Sequence, residues 1–442
     1  MQERPAGVAT SPQQAGAPSA ATPDSSPAAI APLLLLILID AIGFAMLTPL
    51  LAAVLAPDSN AALQQGLSPG ARPLVYGFAS GLYPIMTFFG APFLGQLSDR
   101  IGRKIVLVVC AGGIVASYIT ISAAFAWGSV TLLMVGRIVG GVTAASQAIS
   151  LAALVDVCPP QRKDFWLSMG LLASSLGFVI GPALSGLLSD ARIVAWFNLL
   201  TPLYATALLA GVNLMLLALL FRDTRPALAP DTKRPPLSLL SGFGSLASAF
   251  AFPGALRNVS WVFLLQELAW GAYFYFVPVF LLQRFAASST AASLFMSVMG
   301  VGFCLSFAVA MPLLTKYFST RDITRWSLFV TAVFIAASAF APTMLLEWIL
   351  ILPISIAVAV SYGALIILFT DIATEDTKGE IMGITAAINA FSFGSISFLG
   401  GVIEGVSGGA PIFASLVLMT MSWLVFSLQR PRLPTPQPGQ SP

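Results

Sequence analysis

Long apolar stretches recur along the whole chain and limit what it can fold into. A membrane-spanning helix needs about 20 apolar residues. Twelve such stretches can be delimited, at 32–56, 74–94, 105–126, 129–156, 165–189, 194–221, 259–283, 291–314, 326–343, 344–370, 381–403 and 411–428. With 57% hydrophobic residues, the chain carries more apolar surface than a soluble core can bury. The sequence therefore predicts an all-α membrane protein with twelve transmembrane helices.

The longest internal polar stretch divides these predicted spans six and six. We expect six-helix bundles at 31–221 and 259–428, joined by a central cytoplasmic loop at 222–258. Residues 1–30 are rich in Pro, Ala and Ser and predict a disordered cytoplasmic tail, and residues 429–442 predict a second cytoplasmic tail.

A short motif recurs in the two halves. Gly170 follows Met169 and precedes Gly181 by eleven residues, and Gly383 follows Met382 and precedes Gly394 by the same spacing. Weak repetition of this kind is typical of transporters built from two pseudo-symmetric six-helix bundles.

The basic residues indicate the orientation. With both termini in the cytoplasm, 17 of the 21 Lys and Arg residues fall in cytoplasmic segments, and the outer loops hold only Arg72, Arg192 and Arg284. Cytoplasmic loops of membrane proteins carry such an excess of bases. The sequence predicts a multi-pass protein of the inner (cytoplasmic) membrane, in contact with the lipid bilayer.

Two acidic residues lie deep within predicted spans, where ionisable groups are costly and mark functional sites. At 1.5 Å per residue, Asp40 and Glu267 each lie about 12 Å from the cytoplasmic end of their span, near the middle of the bilayer. Because the chain contains no histidine, proton coupling must run through carboxylates. We expect both residues to carry protons; the alternative is a structural carboxyl held by a neighbouring hydroxyl or amide.

Arg137 is the one base within a predicted span. A guanidinium there needs a partner, and we expect a carboxylate such as Asp40; a purely structural ion pair is the alternative. Glu347 and Glu404 fall near the outer ends of their spans and are expected at the membrane interface.

The segment from Gly95 to Lys104, G-Q-L-S-D-R-I-G-R-K, places one acid and three bases between two apolar spans. It resembles the signature between transmembrane helices 2 and 3 of the major facilitator superfamily. Leu133, Arg137 and Gly141 resemble the span 4 arginine motif of that superfamily, which is associated with proton coupling.

That resemblance implies a conformational latch on the cytoplasmic side. The acid at the position of Asp99 is expected to cap the start of span 11, and the base at the position of Arg103 is expected to pair with Asp156. The latch residues are Gly95, Asp99, Arg100, Gly102, Arg103, Lys104 and Asp156. The two glycines are expected to allow a tight turn and a close approach.

A second motif narrows the resemblance to drug:proton antiporters with twelve spans. Gly177, Gly181, Pro182 and Gly186 resemble their span 5 motif, although Ser168 and Ser185 stand where that motif has glycines. Asp40, Gly43 and Pro49 look like the span 1 pattern of such antiporters, including tetracycline exporters. The span 5 motif implies a kinked, closely packed interface between the halves.

Polar and aromatic residues deep in the spans are candidates for a substrate cavity, since rings suit planar or cationic amphipathic ligands. They are Tyr83, Gln147, Trp270, Tyr273, Phe274, Tyr362 and Asn389.

The sequence thus predicts a proton-coupled secondary exporter of a small organic molecule, acting as a monomer by alternating access. A proton-coupled importer on the same fold and a non-transporting membrane sensor are the alternatives. We expect no enzymatic activity, cofactor, metal site or nucleic-acid partner, because the chain lacks a phosphate-binding G-x-x-x-x-G-K-[ST] loop and histidine.

Overall fold

The computed structural model describes residues 27–56, 59, 61–223, 237–251, 254–374 and 377–429. The predicted tail at 1–26, most of the tail at 429–442 and part of the central loop lie outside these residues. The described residues are helical or in turns, and twelve helices are long and apolar enough to cross a membrane, which confirms the predicted fold class. We call these spans 1 to 12: Ile30–Leu55, Ala71–Ile101, Arg103–Trp127, Val130–Val157, Phe165–Leu188, Thr201–Leu220, Ala255–Phe285, Ser289–Tyr317, Thr320–Ala339, Met344–Ile372, Lys378–Val406 and Ala410–Leu428.

Two predicted boundaries differ from the structure. The first helix already begins at Pro27, so residues 27–30 are helical and do not belong to the tail. The expected loop at 222–258 contains a helix at Ser241–Ala251, which we call the linker helix. The linker helix packs against spans 2 and 11, where Leu246 contacts the cluster of Phe88 and Ala387.

The even number of spans brings both chain ends to the same side of the helix array. We call this side the tail face; it carries Gly102, between spans 2 and 3. The opposite side is the far face and carries Gly128, between spans 3 and 4. Both glycines have positive φ, 109° and 68°, a conformation that residues with a Cβ rarely adopt. One residue, Gly102, therefore separates spans 2 and 3, and two residues, Gly128 and Ser129, separate spans 3 and 4.

The two halves contact each other from the middle of the spans to the far face. In spans 2 and 11, a Cβ on Gly77 would lie 2.8 Å from the Cα of Gly401, and Ser397 Oγ donates to the Gly77 carbonyl over 3.0 Å. Nearer the far face, Thr290 Oγ1 donates to Asp190 Oδ2 over 2.9 Å, which joins span 8 to the loop after span 5. The structure is therefore closed between the halves on the far face.

Prolines within the spans create some of these contacts. Proline has no N–H, so the carbonyl four residues before it has no donor in its own helix. Pro182 frees the Phe178 carbonyl in this way, and a Cβ on Gly300 of span 8 would lie 2.5 Å from that oxygen. Only a glycine lets another backbone approach a freed carbonyl so closely.

Candidate transport site

Asp40 lies in the middle of span 1 and is partly exposed. Its Oδ1 accepts a hydrogen bond from the Tyr83 hydroxyl over 3.0 Å, and its Oδ2 accepts one from Ser146 Oγ over 2.8 Å. Ser146 is the first residue of a helix, and the partial positive charge at a helix start stabilises a nearby carboxylate. The site can therefore hold the negative charge of Asp40 inside the bundle.

That helix start exists because span 4 is interrupted, which the continuous span predicted at 129–156 missed. The first part ends at Val142 and the second begins at Ser146. Between them, Thr143 Oγ1 donates back to the Val139 carbonyl over 2.8 Å, and the Val142 carbonyl lies directly against Gly90 of span 2. Thr143, following two glycines, was the sequence signal for this break.

Arg137 does not pair with Asp40, so that expectation is wrong for this conformation. Among the described residues Arg137 has no ion pair; its Nε donates to the Ala79 carbonyl over 2.6 Å and its Nη2 to the Ser80 carbonyl over 3.2 Å. Pro84 explains this choice, because it leaves the Ser80 carbonyl without a helical donor. The charge is thus satisfied by backbone carbonyls of span 2.

Four tyrosines surround the same guanidinium. The ring of Tyr83 lies 4.9 Å from it, within the range of a cation–π interaction, and the buried residues Tyr76, Tyr118 and Tyr275 lie near it. Tyr275 belongs to span 7 in the other half, and its carbonyl accepts a hydrogen bond from the Tyr76 hydroxyl. Arg137 therefore lies near residues of both halves of the protein.

Glu267 is the corresponding carboxyl of the second half, and it is 1% exposed. Its Oε2 accepts a 2.5 Å hydrogen bond from the Nδ2 of Asn389 in span 11. Asn389 was expected to line the substrate cavity, and the structure instead brings it to Glu267. The ring of Tyr362 lies 5.8 Å from that of Phe263, which precedes Glu267 by four residues on span 7.

An aromatic contact joins the two spans that carry these carboxyls. Phe44 of span 1 stacks on Phe274 of span 7, with ring centroids 5.7 Å apart and planes 8° apart. Phe44 also lies 5.7 Å from Tyr83. Phe44 was not predicted, although it follows Asp40 by four residues and so shares its helix face.

The other expected cavity residues are not all at this contact. Trp270 stacks on Tyr273 at 5.7 Å, and both are buried. The Tyr273 hydroxyl reaches Ser338 of span 9 at 3.3 Å, so Tyr273 faces the interior of the second half and does not line a cavity in this conformation. Gln147 donates to Ser174 of span 5 over 3.1 Å.

The charged segment between spans 2 and 3 forms a network on the tail face. Arg103 Nε donates to Asp156 Oδ2 over 3.0 Å, the pairing that the family resemblance implies, and Arg103 Nη1 donates to Asp99 Oδ1 over 2.7 Å. Asp223, which was not predicted, accepts from the Lys104 backbone N–H over 3.0 Å. It caps span 3 in place of Gly102, which has no side chain.

Asp99, Gly95 and Arg100 are three of the expected latch residues, and the first two do not have their expected roles. Asp99 does not cap span 11 here: its carboxylate contacts Arg103, and the linker helix packs against the tail-face parts of spans 2 and 11. Gly95 lies within span 2, and a Cβ there would meet nothing within 4 Å, so it makes neither a turn nor a close approach. Arg100 is the last basic residue of span 2.

The span 5 motif only partly forms an interface between the halves. A Cβ on Gly181 would lie 2.5 Å from the Ile42 carbonyl, and Gly177 abuts Ala41, so both pack on span 1 within their own half. Gly186 does meet the other half, because a Cβ there would lie 2.8 Å from the Cβ of Ser293.

Glu347 and Glu404 are not at the interface, as was expected, but buried at 0% and 6% exposure. Glu347 accepts from Ser338 Oγ, and Glu404 Oε2 accepts from the Gly409 N–H over 2.9 Å. Among the described residues of the second half, three carboxyls are therefore buried, and only that of Glu267 was expected inside.

Comparison with known proteins identifies the class. The Major Facilitator Superfamily profile matches residues 33–401, and the chain belongs to this superfamily. The class H tetracycline resistance protein of Pasteurella multocida is 30% identical over 46% of this chain, which spans about half (47%) of that relative. The class C tetracycline resistance protein of Escherichia coli is 28% identical over 72% of this chain and 76% of its own length.

Solved structures share the fold. The human organic anion transporter MFSD10 (TETRAN) superposes with a TM-score of 0.66 at 18% identity, covering 91% of this chain and 100% of that one. A D-xylose-proton symporter gives 0.71 at 17% identity, with 90% and 97% covered. These identities show a shared fold, and membership of the superfamily makes the chain a multi-pass membrane transporter.

Proposed function

We propose that this transporter exports a small organic molecule from the cytoplasm in exchange for protons. The observation that carries the proposal is that each half holds one carboxyl, Asp40 or Glu267, on the span that also supplies one of the two stacked rings, Phe44 and Phe274. A carboxyl inside a bundle can bind and release a proton when its surroundings change. A substrate inserted between the rings separates the halves and so changes both carboxyl sites.

The proposed direction of transport rests on the relatives, and the proposed substrate class rests on the relatives and on the aromatic rings near the carboxyls. Class H and class C relatives are named as tetracycline resistance proteins, which supports export of a planar, multi-ring compound. Phe44, Phe274 and Trp270 offer faces of matching shape. In this proposal the protein works as a monomer in the inner membrane, and the tail face, which holds most of the bases, is cytoplasmic.

Inverted membrane vesicles test the proposal with tetracycline as the probe. Acidifying the vesicle interior is expected to drive tetracycline uptake by the wild type, and Asp40→Asn and Glu267→Gln are expected to abolish this acceleration. Asp322→Asn is the matched control, since Asp322 is exposed on the tail face and bonds only locally to Ser319. Uptake driven by the opposite gradient would instead establish an importer. If wild type transports neither tetracycline nor any of a panel of planar cations and anions under either gradient, the proposal of proton-coupled export is wrong.

A further inference from the structure

Glu347 belongs to a chain of polar groups that the proposed mechanism does not use. It lies in the first turn of span 10 and is fully buried. Ser338 Oγ, in the last turn of span 9, lies 3.1 Å from its Oε1 and 2.9 Å from its Oε2. The Tyr273 hydroxyl of span 7 lies 3.3 Å from the same Ser338 oxygen. Three spans are thus joined through one carboxyl.

The surroundings of Glu347 support both of its charge states. The start of span 10 and the charge of Arg284, whose Nη2 donates to the Ala341 carbonyl over 3.1 Å, favour the carboxylate. Complete burial and a single hydroxyl donor favour the neutral acid, because one proton of Ser338 cannot satisfy two carboxylate oxygens. Within the described residues, Arg284 is the charged group near Glu347, and Tyr273 is a second ionisable group in its vicinity. A group with such opposing influences is suited to exchange a proton.

We propose that Glu347 is a proton-binding site of the second half that is loaded from the far face. This inference rests on the proposed proton-coupled transport and adds a third carboxyl to it. The loop between spans 9 and 10, where Arg284 contacts Ala341, is the nearest part of the far face and gives the route of entry.

Proton binding at Glu347 reverses the hydrogen-bond chain. When Glu347 is ionised, Ser338 donates to it and the Tyr273 hydroxyl donates to Ser338. When Glu347 takes up one proton from solution, its own O–H donates to Ser338, which then donates to Tyr273. Ser338 and Tyr273 keep their protons, and only the direction of the bonds changes.

This reversal reaches the candidate transport site. Tyr273 stacks on Trp270, with centroids 5.7 Å apart, and Trp270 follows Glu267 by one helical turn. Freeing the Tyr273 proton from Ser338 lets that hydroxyl turn toward another acceptor. Protonation on the far face thereby changes the packing beside Glu267.

Infrared difference spectroscopy of the purified protein tests proton binding without any substrate. Between about pH 4 and 10, the range in which a perturbed carboxyl titrates, wild type is expected to show a carboxylic-acid band that Glu347→Gln lacks. Ser338→Ala is expected to keep this band with a shifted midpoint. Ser415→Ala is the matched control, since Ser415 is equally buried and donates to span 7 at the Ala269 carbonyl, away from Glu347. Identical spectra for wild type and Glu347→Gln would overturn the inference, and Ser338→Ala decides it if Glu347→Gln does not fold.

Vesicle transport then separates this inference from the proposed function. If wild type shows gradient-driven uptake, Glu347→Gln is expected to lose the acceleration by the gradient and to keep tetracycline exchange in the absence of a gradient. Normal gradient-driven uptake by Glu347→Gln would refute the role of Glu347 alone. Absence of gradient-driven uptake in wild type would refute the proposed function, whatever the spectra show.

Discussion

Tyr83 lies between the two charged groups of the first half. Its hydroxyl donates to Asp40 over 3.0 Å, while its ring lies 4.9 Å from the guanidinium of Arg137. Tyr83 therefore contacts both charged groups, which form no direct ion pair with each other in this conformation. A change in the charge of Asp40 therefore affects the hydrogen bond of the Tyr83 hydroxyl, and a movement of Arg137 affects its contact with the Tyr83 ring.

Replacing Tyr83 by phenylalanine separates these two functions. The ring beneath Arg137 remains, and Asp40 loses one hydrogen bond worth about 1 kcal/mol. That loss corresponds to a shift of about fivefold in a two-state equilibrium, and we expect gradient-driven transport to fall by about this factor. Tyr83→Leu, which also removes the ring, should fall further. Equal activity of the two variants would show that the ring does not matter.

A second prediction concerns Pro84, which frees the carbonyl that Arg137 uses. Pro84→Ala restores an N–H that can bond to the Ser80 carbonyl and compete with Arg137. Hydrogen bonds to charged groups are worth about 1.5–3 kcal/mol, so we expect transport to fall by about tenfold while the protein still folds. Pro92→Ala is the control in the same span, because the carbonyl it frees, that of Phe88, faces Gly242 and no charge. Similar losses in both variants would contradict the role of the Arg137 contact.

The sequence predicted the membrane spans because each must supply enough apolar residues to cross a bilayer alone. It also placed Asp40 and Glu267 within spans 1 and 7, where the structure has them, although these spans begin earlier than predicted, at Ile30 and Ala255. The partners of Arg137 were not predictable in this way. Pro84 does show in the sequence that the Ser80 carbonyl lacks a helical donor, but which side chain reaches that carbonyl depends on how spans 2 and 4 pack.

The burial of Glu347 shows a second limit. Distance to a helix end predicts exposure only if neighbouring helices end at the same level. Span 7 has 31 residues and span 9 has 20, so span 7 is longer by about 16 Å at 1.5 Å per residue. The far-face ends of spans 9 and 10 therefore lie beside the interior of span 7, and Glu347 meets Tyr273.

The cap that Asp223 provides for span 3 gives a third prediction. Asp223→Ala removes an acceptor from the Lys104 N–H at a helix start that has glycine at its cap position. Loss of such a cap costs about 1 kcal/mol, and we expect a lower melting temperature in detergent. Asp371→Ala, at an exposed carboxylate on the same face, should melt like wild type. A wild-type melting temperature for Asp223→Ala would show that the contact contributes nothing.

The contact of Gly300 with the Phe178 carbonyl predicts how closure of the far face can be weakened. Gly300→Ala puts a methyl group where the backbone oxygen lies 2.5 Å away, and such overpacking costs about 1–3 kcal/mol. Because this contact exists only when the halves are closed, the population should shift toward far-face opening. Spin labels at Trp196 and Phe340, both exposed on the far face, should report a longer distance.

Gly211→Ala is the matched control for this shift. A Cβ on Gly211 meets nothing within 4 Å, so the variant should keep the wild-type label distance. The labels require replacement of Cys110, Cys158 and Cys304 by serine. An unchanged distance between the spin labels in Gly300→Ala would mean that span 8 shifts to accommodate the methyl group while the halves stay closed.

Asp190 predicts that this closure does not itself respond to pH in the physiological range. Hydrogen bonds from the Arg192 side chain hold the pKa of Asp190 well below its usual value, and the same carboxylate accepts from Thr290 across the halves. A depressed pKa stabilises the folded contact above the ordinary Asp pKa of about 3.9 and loses this effect only as pH falls through the lower value. The far-face label distance should therefore stay constant between about pH 5 and 8, provided that the buried carboxyls are neutralised as Asp40→Asn, Glu267→Gln and Glu347→Gln. Asp190→Asn should lengthen the distance at every pH, since it removes the charged acceptor. A distance that lengthens between pH 8 and 5 in the neutralised background would show that the Asp190 contact titrates and that this prediction is wrong.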